Sequence, residues 1–518
     1  MKLWFVSMEC ANIAEAGGVK NVTFSLCNEF ARLGHDVTLF IPVFKCNSWD
    51  KLTKIEKNLY KSNIQICQKE EIVSYTKAVF QKSDFKVVLI NNEHFAEKEA
   101  VYTYTEKEEK VNPNHKKGEG HEDALLIDSL FQKSVCNYLK YIDLDSVPDL
   151  IHCQDASAAI LPAYLKETAY PQIKTLITIH NAGPFYHHEF KNLEDALFYT
   201  GLPQELLKNS MNGQRVEPFL IGLNSGANLM TVSKDYALEL KDPSNCEFTD
   251  GLSKIFHDRK IKIKGITNGF DFDRYNPSKI EVSKLPFAFN PEIGDFSGKY
   301  KIRKFFIEEV VNSSQYPSDG IEKFGKLEVS ADCKKEFYIA YHGRVTSQKG
   351  ISVLTSAIPQ ILSENENVRF VIAGQGEPKL EEELAELTRK YSGKIVYLNG
   401  YNQSVVRMAI ASCDFIVLPS YFEPCGLEDF ISQAFATLPV AHKTGGLNKI
   451  LNGKTGFLYK NNTSRDLAET ILKVIKLNDE KIMKIRVRAA KYVHDEYIWK
   501  TVVEKEYLKY FKEILRKK

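Results

Sequence analysis

The sequence predicts an α/β protein made of two doubly wound parallel-sheet halves. Three observations carry that prediction. Short apolar runs alternate with helix-period segments, each half opens with a strand followed by a glycine-containing turn, and motifs rich in Gly, Lys, Arg and Glu fall just after strand-like runs. Ligands bind such sheets at the carboxyl ends of their strands, so these motifs mark where a site is expected.

The first half opens as βαβ: a strand at Leu3 to Val6, a Gly17-Gly18 turn, a helix to about Leu33 and a strand at Val37 to Ile41. Further strands are expected at Lys86 to Ile90, Leu150 to Cys153 and Thr175 to Ile179, with a helix over Ala124 to Tyr141. Thr103 to Asp123 is dense in Lys, Glu, Gly and His without periodicity, which predicts a mobile solvated loop and no metal role for His115 or His121. The second half begins near Phe337 with a strand at Tyr338 to Tyr341, a helix from Ile351, a strand at Val368 to Ala373 and a helix over Glu382 to Lys390. Strands at Ile395 to Leu398, Phe415 to Leu418 and Leu438 to Ala441 follow.

Between the halves, Asn276-Pro277, Pro286, Pro291 and Gly298 make an irregular stretch that suits a hinge, and Ser313 to Lys335 reads as a polar excursion. Aromatics and leucines at helical spacing from Ile498 to Leu515 predict a helix that packs back onto a domain. The expected division is a first Rossmann-like domain at 1–280, completed by a C-terminal helix at 495–518, and a second at 281–494, with a site in the cleft between them.

Composition narrows the function classes. The 518 residues, 43% hydrophobic and 26% charged, are those of an ordinary globular protein with length for two to three domains at about 150 residues each. A formal net charge of +2 supplies no long-range basic field, so neither nucleic acid nor a membrane surface is an expected partner. No stretch reaches the roughly 18 apolar residues of a membrane span. The opening MKLWFVSMEC is interrupted by Glu9 without a small-residue cleavage site and reads as a first strand. Ten cysteines without a CxxC pair, among them Cys27, Cys136 and Cys413 in apolar surroundings, fit a reduced, cytoplasmic setting.

The most informative segments are HGRVTSQKG from His342, FEPCGLEDF from Phe422 and HKTGGL from His442. Arg344 offers planar, bidentate donors to phosphate oxygens and Lys349 a compact charge, while a glycine turn at Cys425-Gly426 opening a helix adds backbone N–H groups. With Glu423 running into that turn, the set describes a site for a sugar diphosphate that neutralises a departing diphosphate without a metal. No cofactor is expected.

On these motifs, with ITIHN ending at Asn181, TVSKDYA from Thr231 and GITNGFDFDRYNP ending at Pro277, the chain resembles bacterial glycogen synthases and plant starch synthases over most of its length. These are retaining glucosyltransferases of the two-domain GT-B fold. The resemblance implies transfer of glucose from a nucleotide sugar, usually ADP-glucose, to the nonreducing end of an α-1,4-glucan such as glycogen. It implies Arg344 and Lys349 as the phosphate-binding pair, Glu423 as the glutamate near the donor sugar, and Cys425, Gly426 and Leu427 as the turn facing the phosphates. Glu423 also suits a plainer role, a carboxylate satisfying a helix dipole.

Tyr401 matches the aromatic that stacks on the nucleotide base, or is an ordinary half-buried loop tyrosine. Gly374 lies in a Gly-Gln-Gly turn like the family's, and Thr444, Gly445 and Gly446 belong to the KTGGL donor segment. In the first half, Gly17 and Gly18 match the family's first glycine loop, and His180, followed by Asn181, matches the active-site histidine that contacts the donor glucose. Asp155 matches an acceptor-side aspartate, with a helix cap before Ala156 as its structural alternative. With no obvious nucleophile, the resemblance implies that the leaving phosphate takes the acceptor hydroxyl's proton.

Three places depart from the family pattern. Glu15 stands where the first glycine loop usually has lysine, Ala156-Ser157 replace an aromatic and a polar residue, and Glu428 follows Leu427 where a small hydroxyl residue is usual. Reversing a charge beside an anionic donor weakens its binding unless Lys20 compensates; one charge contact at an effective dielectric near 20 is worth about 4 kcal/mol before desolvation. Two other readings therefore stand beside the glucan synthase: a GT-B transferase with a different nucleotide sugar or acceptor, and a catalytically silent glucan-binding homologue.

Overall fold

The structure, a computed structural model, describes residues 1–313, 316, 319–329 and 336–516. Two compact units emerge, Met1–Gly269 with Val502–Lys518, and Phe270–Thr501. The crossings thus fall at 269/270 and 501/502, beside the expected divisions at 280 and 495. Phe270 already belongs to the second unit: its amide donates to Tyr497 O at 2.6 Å and its ring stacks on Tyr275 at 5.2 Å.

In the first unit, nine strands among the described residues form one sheet. From one edge they run Ile263–Gly265, Asn228–Thr231, Lys174–Ile179, Leu150–Gln154, Lys2–Val6, Asp36–Pro42, Lys86–Asn91, Lys69–Phe80 and Leu52–Ile66. The first seven are parallel. Leu150–Gln154 is buried at every position, as a parallel strand covered on both faces must be.

The last two strands add an antiparallel hairpin that the sequence reading does not anticipate. Its outer strand keeps Lys54, Glu56, Lys57 and Lys61 exposed, which suits a sheet edge that must not pair further. Register shifts between Thr53 and Tyr60 break the alternation that would have revealed it.

The stretch from Thr103 to Asp123 is folded rather than a mobile solvated loop. Thr105 and Glu108 form a reciprocal capping box that starts the helix Glu106–Val111. Tyr104 is buried, with its ring stacked on His115 at 4.1 Å and edge-on to His121 at 4.8 Å, so both histidines serve packing. Nearby, His94, Glu97 and Asp123 come close enough to share an ion, but Lys98 Nζ lies 2.8 Å from each carboxylate and supplies the positive charge there.

The second unit carries a seven-stranded sheet among its described residues, in the order Ile321–Gly325, Ile395–Gly400, Val368–Ala373, Phe337–His342, Phe415–Leu418, Leu438–His442 and Phe457–Tyr459. Only Ile321–Gly325 is antiparallel, and it lies within the expected polar excursion, of which 314–315, 317–318 and 330–335 are outside the described residues. Alternate side chains feed two cores. Tyr338, Ala340, Val371 and Val396 pack with helix Gln403–Ser412 on one face, while Ile339, Tyr341, Phe370 and Tyr397 pack with helices Ile351–Glu364 and Ser464–Val474 on the other.

A buried charge cluster ties the flanking helices to this sheet. The Asp414 carboxylate accepts from Arg303 Nη2 at 2.6 Å, Arg486 Nη2 at 2.8 Å and the Tyr338 amide at 2.9 Å. Lys299, fully buried, donates to Ala411 O, Phe435 O and Thr437 Oγ1 at 2.7, 3.0 and 2.8 Å. The terminal segment packs on the first unit, where Phe511 stacks on Phe30 at 4.9 Å and Glu504 pairs with Arg32 at 3.1 Å. Among the described residues, no helix is long and apolar enough to cross a membrane.

Candidate functional site

In the second unit, parallel register brings the strand ends to one edge: His342 pairs with Ala373, Ala373 with Leu398, and Leu418 with Ala441. Each motif segment leaves from this edge. The loop after His342 is fixed along its length, because Tyr341 Oη donates to Arg344 O at 2.7 Å, Val345 N donates to Gln375 O at 2.9 Å and Tyr421 N donates to Gln348 O at 2.9 Å. Only glycine fits at 374, where φ is 148° and a Cβ would lie 1.9 Å from Gly343 O. The two loops touch there by backbone alone.

This framework sets out the charges. Lys349 Nζ lies 2.5 Å from Glu423 Oε2, which also accepts from Ser420 Oγ at 3.1 Å. Burial alone would raise the Glu423 pKa, but the Lys349 charge and these hydrogen bonds outweigh it and hold the carboxyl below its ordinary range. Arg344 is exposed, with Nη2 3.5 Å from Gln348 Oε1. Sequence reasoning grouped Arg344, Lys349 and Glu423 in one diphosphate site; the fold brings the last two into contact.

The Cys425-Gly426 turn is held by a residue that the sequence reading does not name. Lys449 Nζ, buried, donates to Cys425 O at 2.5 Å, Gly426 O at 3.0 Å, Gly446 O at 3.0 Å and Asp429 Oδ1 at 2.9 Å. It clamps the segment holding Cys425, Gly426 and Leu427 to the Thr444-Gly445-Gly446 loop. Gly446 N also donates to Glu423 O at 2.8 Å, and Thr444 Oγ1 to Tyr421 O at 3.2 Å, so these two residues close the loop around the carboxylate. The only sequence signal for Lys449 is a lysine amid GGLN and Ile450. Tyr401 follows the strand ending at Gly400 and is 60% exposed, a ring open to stacking rather than the half-buried loop alternative.

In the first unit, His180 follows the strand Lys174–Ile179, and its Nε2 pairs with Gln154 Oε1 at 2.8 Å. Burial lowers its pKa to about 3, so the imidazole is neutral. Asp155 accepts from the His180 amide at 3.3 Å, and the Ala156 amide at the start of the turn Ala156–Ala158 also acts on its carboxylate. Its backbone sits at φ 65°, a strained conformation for a non-glycine residue, and burial pushes its carboxyl up to about 7. Asn181 Oδ1 accepts from Gly183 N at 2.8 Å and so shapes the turn after the histidine.

Gly17 and Gly18 lead into the helix Val19–Arg32, whose first turn contains no acidic residue. The buried Glu9 carboxylate lies against this loop, where a Cβ on Gly17 would be 3.2 Å from Oε1 and where the Gly17 and Lys20 amides act on it. Around Gly18 the space is open. Glu15, the reversed charge of the loop, pairs with Lys20 Nζ at 3.0 Å and accepts from Asn12 N at 2.9 Å. Lys20 thus lies where it can offset the Glu15 charge.

Comparison with known proteins finds a family model for each half of the chain. A starch synthase catalytic domain family model matches residues 2–258 and a glycosyl transferases group 1 model matches 336–477. The chain is 26% identical to a glycogen synthase of Lactococcus lactis subsp. lactis, over 99% of this chain and 100% of that one. It is 28% identical to a glycogen synthase of Thermodesulfovibrio yellowstonii, over 93% and 92%. Among solved structures, the catalytic domain of starch synthase IV from Arabidopsis thaliana, bound to ADP and acarbose, superposes with a TM-score of 0.77 at 20% identity over 99% of each chain. A sucrose-phosphate synthase from Thermosynechococcus elongatus gives 0.53 at 13% identity over 99% and 98%.

Proposed function

The chain belongs to the glycogen and starch synthase family of GT-B glycosyltransferases, and on that premise we propose that it transfers glucose from ADP-glucose to the nonreducing end of an α-1,4-glucan with retention of configuration. The observation that carries the reading is the Lys349–Glu423 contact beside Arg344 at the carboxyl edge of the second sheet.

As the bond from the anomeric carbon to the diphosphate breaks, negative charge grows on phosphate and positive charge on the sugar ring. Arg344 and Lys349 stabilise the first, and Glu423, ionised at neutral pH, suits a place near the second. Preorganised groups of this kind cost no reorganisation during the reaction, and Lys449 and Gly374 preorganise their loops. A neutral His180 donates to or accepts from a sugar hydroxyl without adding charge. In this reading Tyr401 stacks on the base, Asp155 and Asn181 serve the acceptor side, and the leaving phosphate takes the acceptor proton. The reaction needs no metal, so turnover is expected to be unchanged by EDTA.

The test is incubation of purified protein with labelled ADP-glucose or UDP-glucose and glycogen, following polymer label and free nucleotide. Incorporation from ADP-glucose is the expected result. Nucleotide release without polymer growth would point to another acceptor, and glycogen binding without release would sink the enzymatic reading. A preference for UDP-glucose would reassign the donor, a shift for which the Glu15–Lys20 pair in the first glycine loop is the place to look.

A further inference from the structure

We infer that His342 is a positioning residue that neutralises Glu428 beside the donor diphosphate, so that donor affinity falls as pH rises. This rests on the reading above that Arg344, Lys349 and Glu423 serve a nucleoside diphosphate sugar. Glu428 stands where a small hydroxyl residue is usual, directly after the Cys425-Gly426-Leu427 turn. A carboxylate there is a poor neighbour for a diphosphate, and the chain answers it: His342 Nδ1 lies 2.7 Å from Glu428 Oε2. The pair is half-buried, with side chains 16% and 27% exposed, so solvent screens it only in part. His342 is also the last residue of the strand that launches the Arg344 loop, so the contact ties that loop to the turn.

The charged groups acting on His342 are Glu428 and Lys349. Glu428 also acts on Tyr341 and Tyr275, and Glu423, itself paired with Lys349, acts on Tyr341. Burial alone would lower the His342 pKa; the Glu428 charge and hydrogen bond outweigh it, and Lys349 opposes them weakly, leaving the pKa raised. Below that pKa the pair is neutral overall. Above it the imidazole loses its proton and Glu428 meets the diphosphate as an uncompensated anion.

The experiment is calorimetric titration of ADP into the full chain, with KM for ADP-glucose in parallel, from about pH 6 to about pH 9. It compares wild type, Glu428→Thr, His342→Asn and the double variant. ADP's own titration is common to all four, so their ratios report the protein. Wild type is expected to lose about tenfold in ADP affinity relative to Glu428→Thr across that range. His342→Asn should be weakened by a similar factor already at the acid end, and the double variant should return to the Glu428→Thr values, which a misfolded His342→Asn would not allow. The change should appear in KM more than in kcat. Parallel profiles for wild type and Glu428→Thr, or a double variant no better than His342→Asn, overturn the inference and leave the donor reading standing. Wild type that binds no ADP at any pH overturns the donor reading and the inference with it.

Discussion

At the scale of single residues, Lys349 and Lys449 show two uses of the same side chain. Lys349 is half-exposed and rests on one carboxylate; Lys449 is buried and satisfies three carbonyls and a carboxylate. Lys349→Ala is expected to lower kcat by about 10²- to 10³-fold, the scale of losing one preorganised charge-stabilising group, with little change in melting temperature. Near-normal turnover in a steady-state assay would contradict its assignment to the diphosphate. Lys449→Met, by contrast, strands Asp429 and is expected to cost about 3–5 kcal/mol of stability in denaturant unfolding. The sequence made the first lysine legible and hid the second. Gln348, Lys349 and Gly350 form a local motif, whereas Lys449 acquires its meaning only when folding carries Cys425, Gly426, Asp429 and Gly446 to it.

At the scale of elements, the strands that read correctly are those buried on both faces, because their apolar runs are continuous whatever the register. The hairpin Leu52–Ile66 with Lys69–Phe80 is not legible in the sequence because its outer strand is mostly solvated and its register slips. The helix Glu106–Val111 is hidden for a different reason: it buries none of its residues, so it has no periodic face, and its capping box is its sequence signal. The loops of the second sheet depend on backbone contact. Gly374→Ala would force the Gly343 carbonyl aside and is expected to raise donor KM about tenfold or more while leaving the far-UV circular dichroism spectrum unchanged, since displacements of about 1 Å in a catalytic constellation cost about 10²-fold.

At the scale of the whole molecule, the Asp414 cluster governs how the second unit responds to acid. Burial would raise the Asp414 pKa, but Arg303 and Arg486 outweigh it and depress it to about 2. A carboxyl depressed in the folded state stabilises above its unfolded pKa, so this contribution is complete above about pH 4 and is lost as pH falls toward about 2. Asp414→Asn leaves two buried guanidinium groups without their anion and is expected to cost about 3–5 kcal/mol at neutral pH. Thermal unfolding of wild type and variant between neutral pH and pH 3 should show their difference shrinking with acid; a constant gap would contradict the cluster's role.

The hairpin at the far edge of the first sheet has a practical use. Its turn, Cys67-Gln68, is left-handed at both residues, and the strands on either side pair with each other, so chain inserted there would emerge from a closed end. A biotin acceptor peptide or fluorophore tag spliced between Gln68 and Lys69 would give an immobilised or visible enzyme in which Gly17, Asp155 and His180 keep unaltered loops, the insert being carried on the two outermost strands of the sheet.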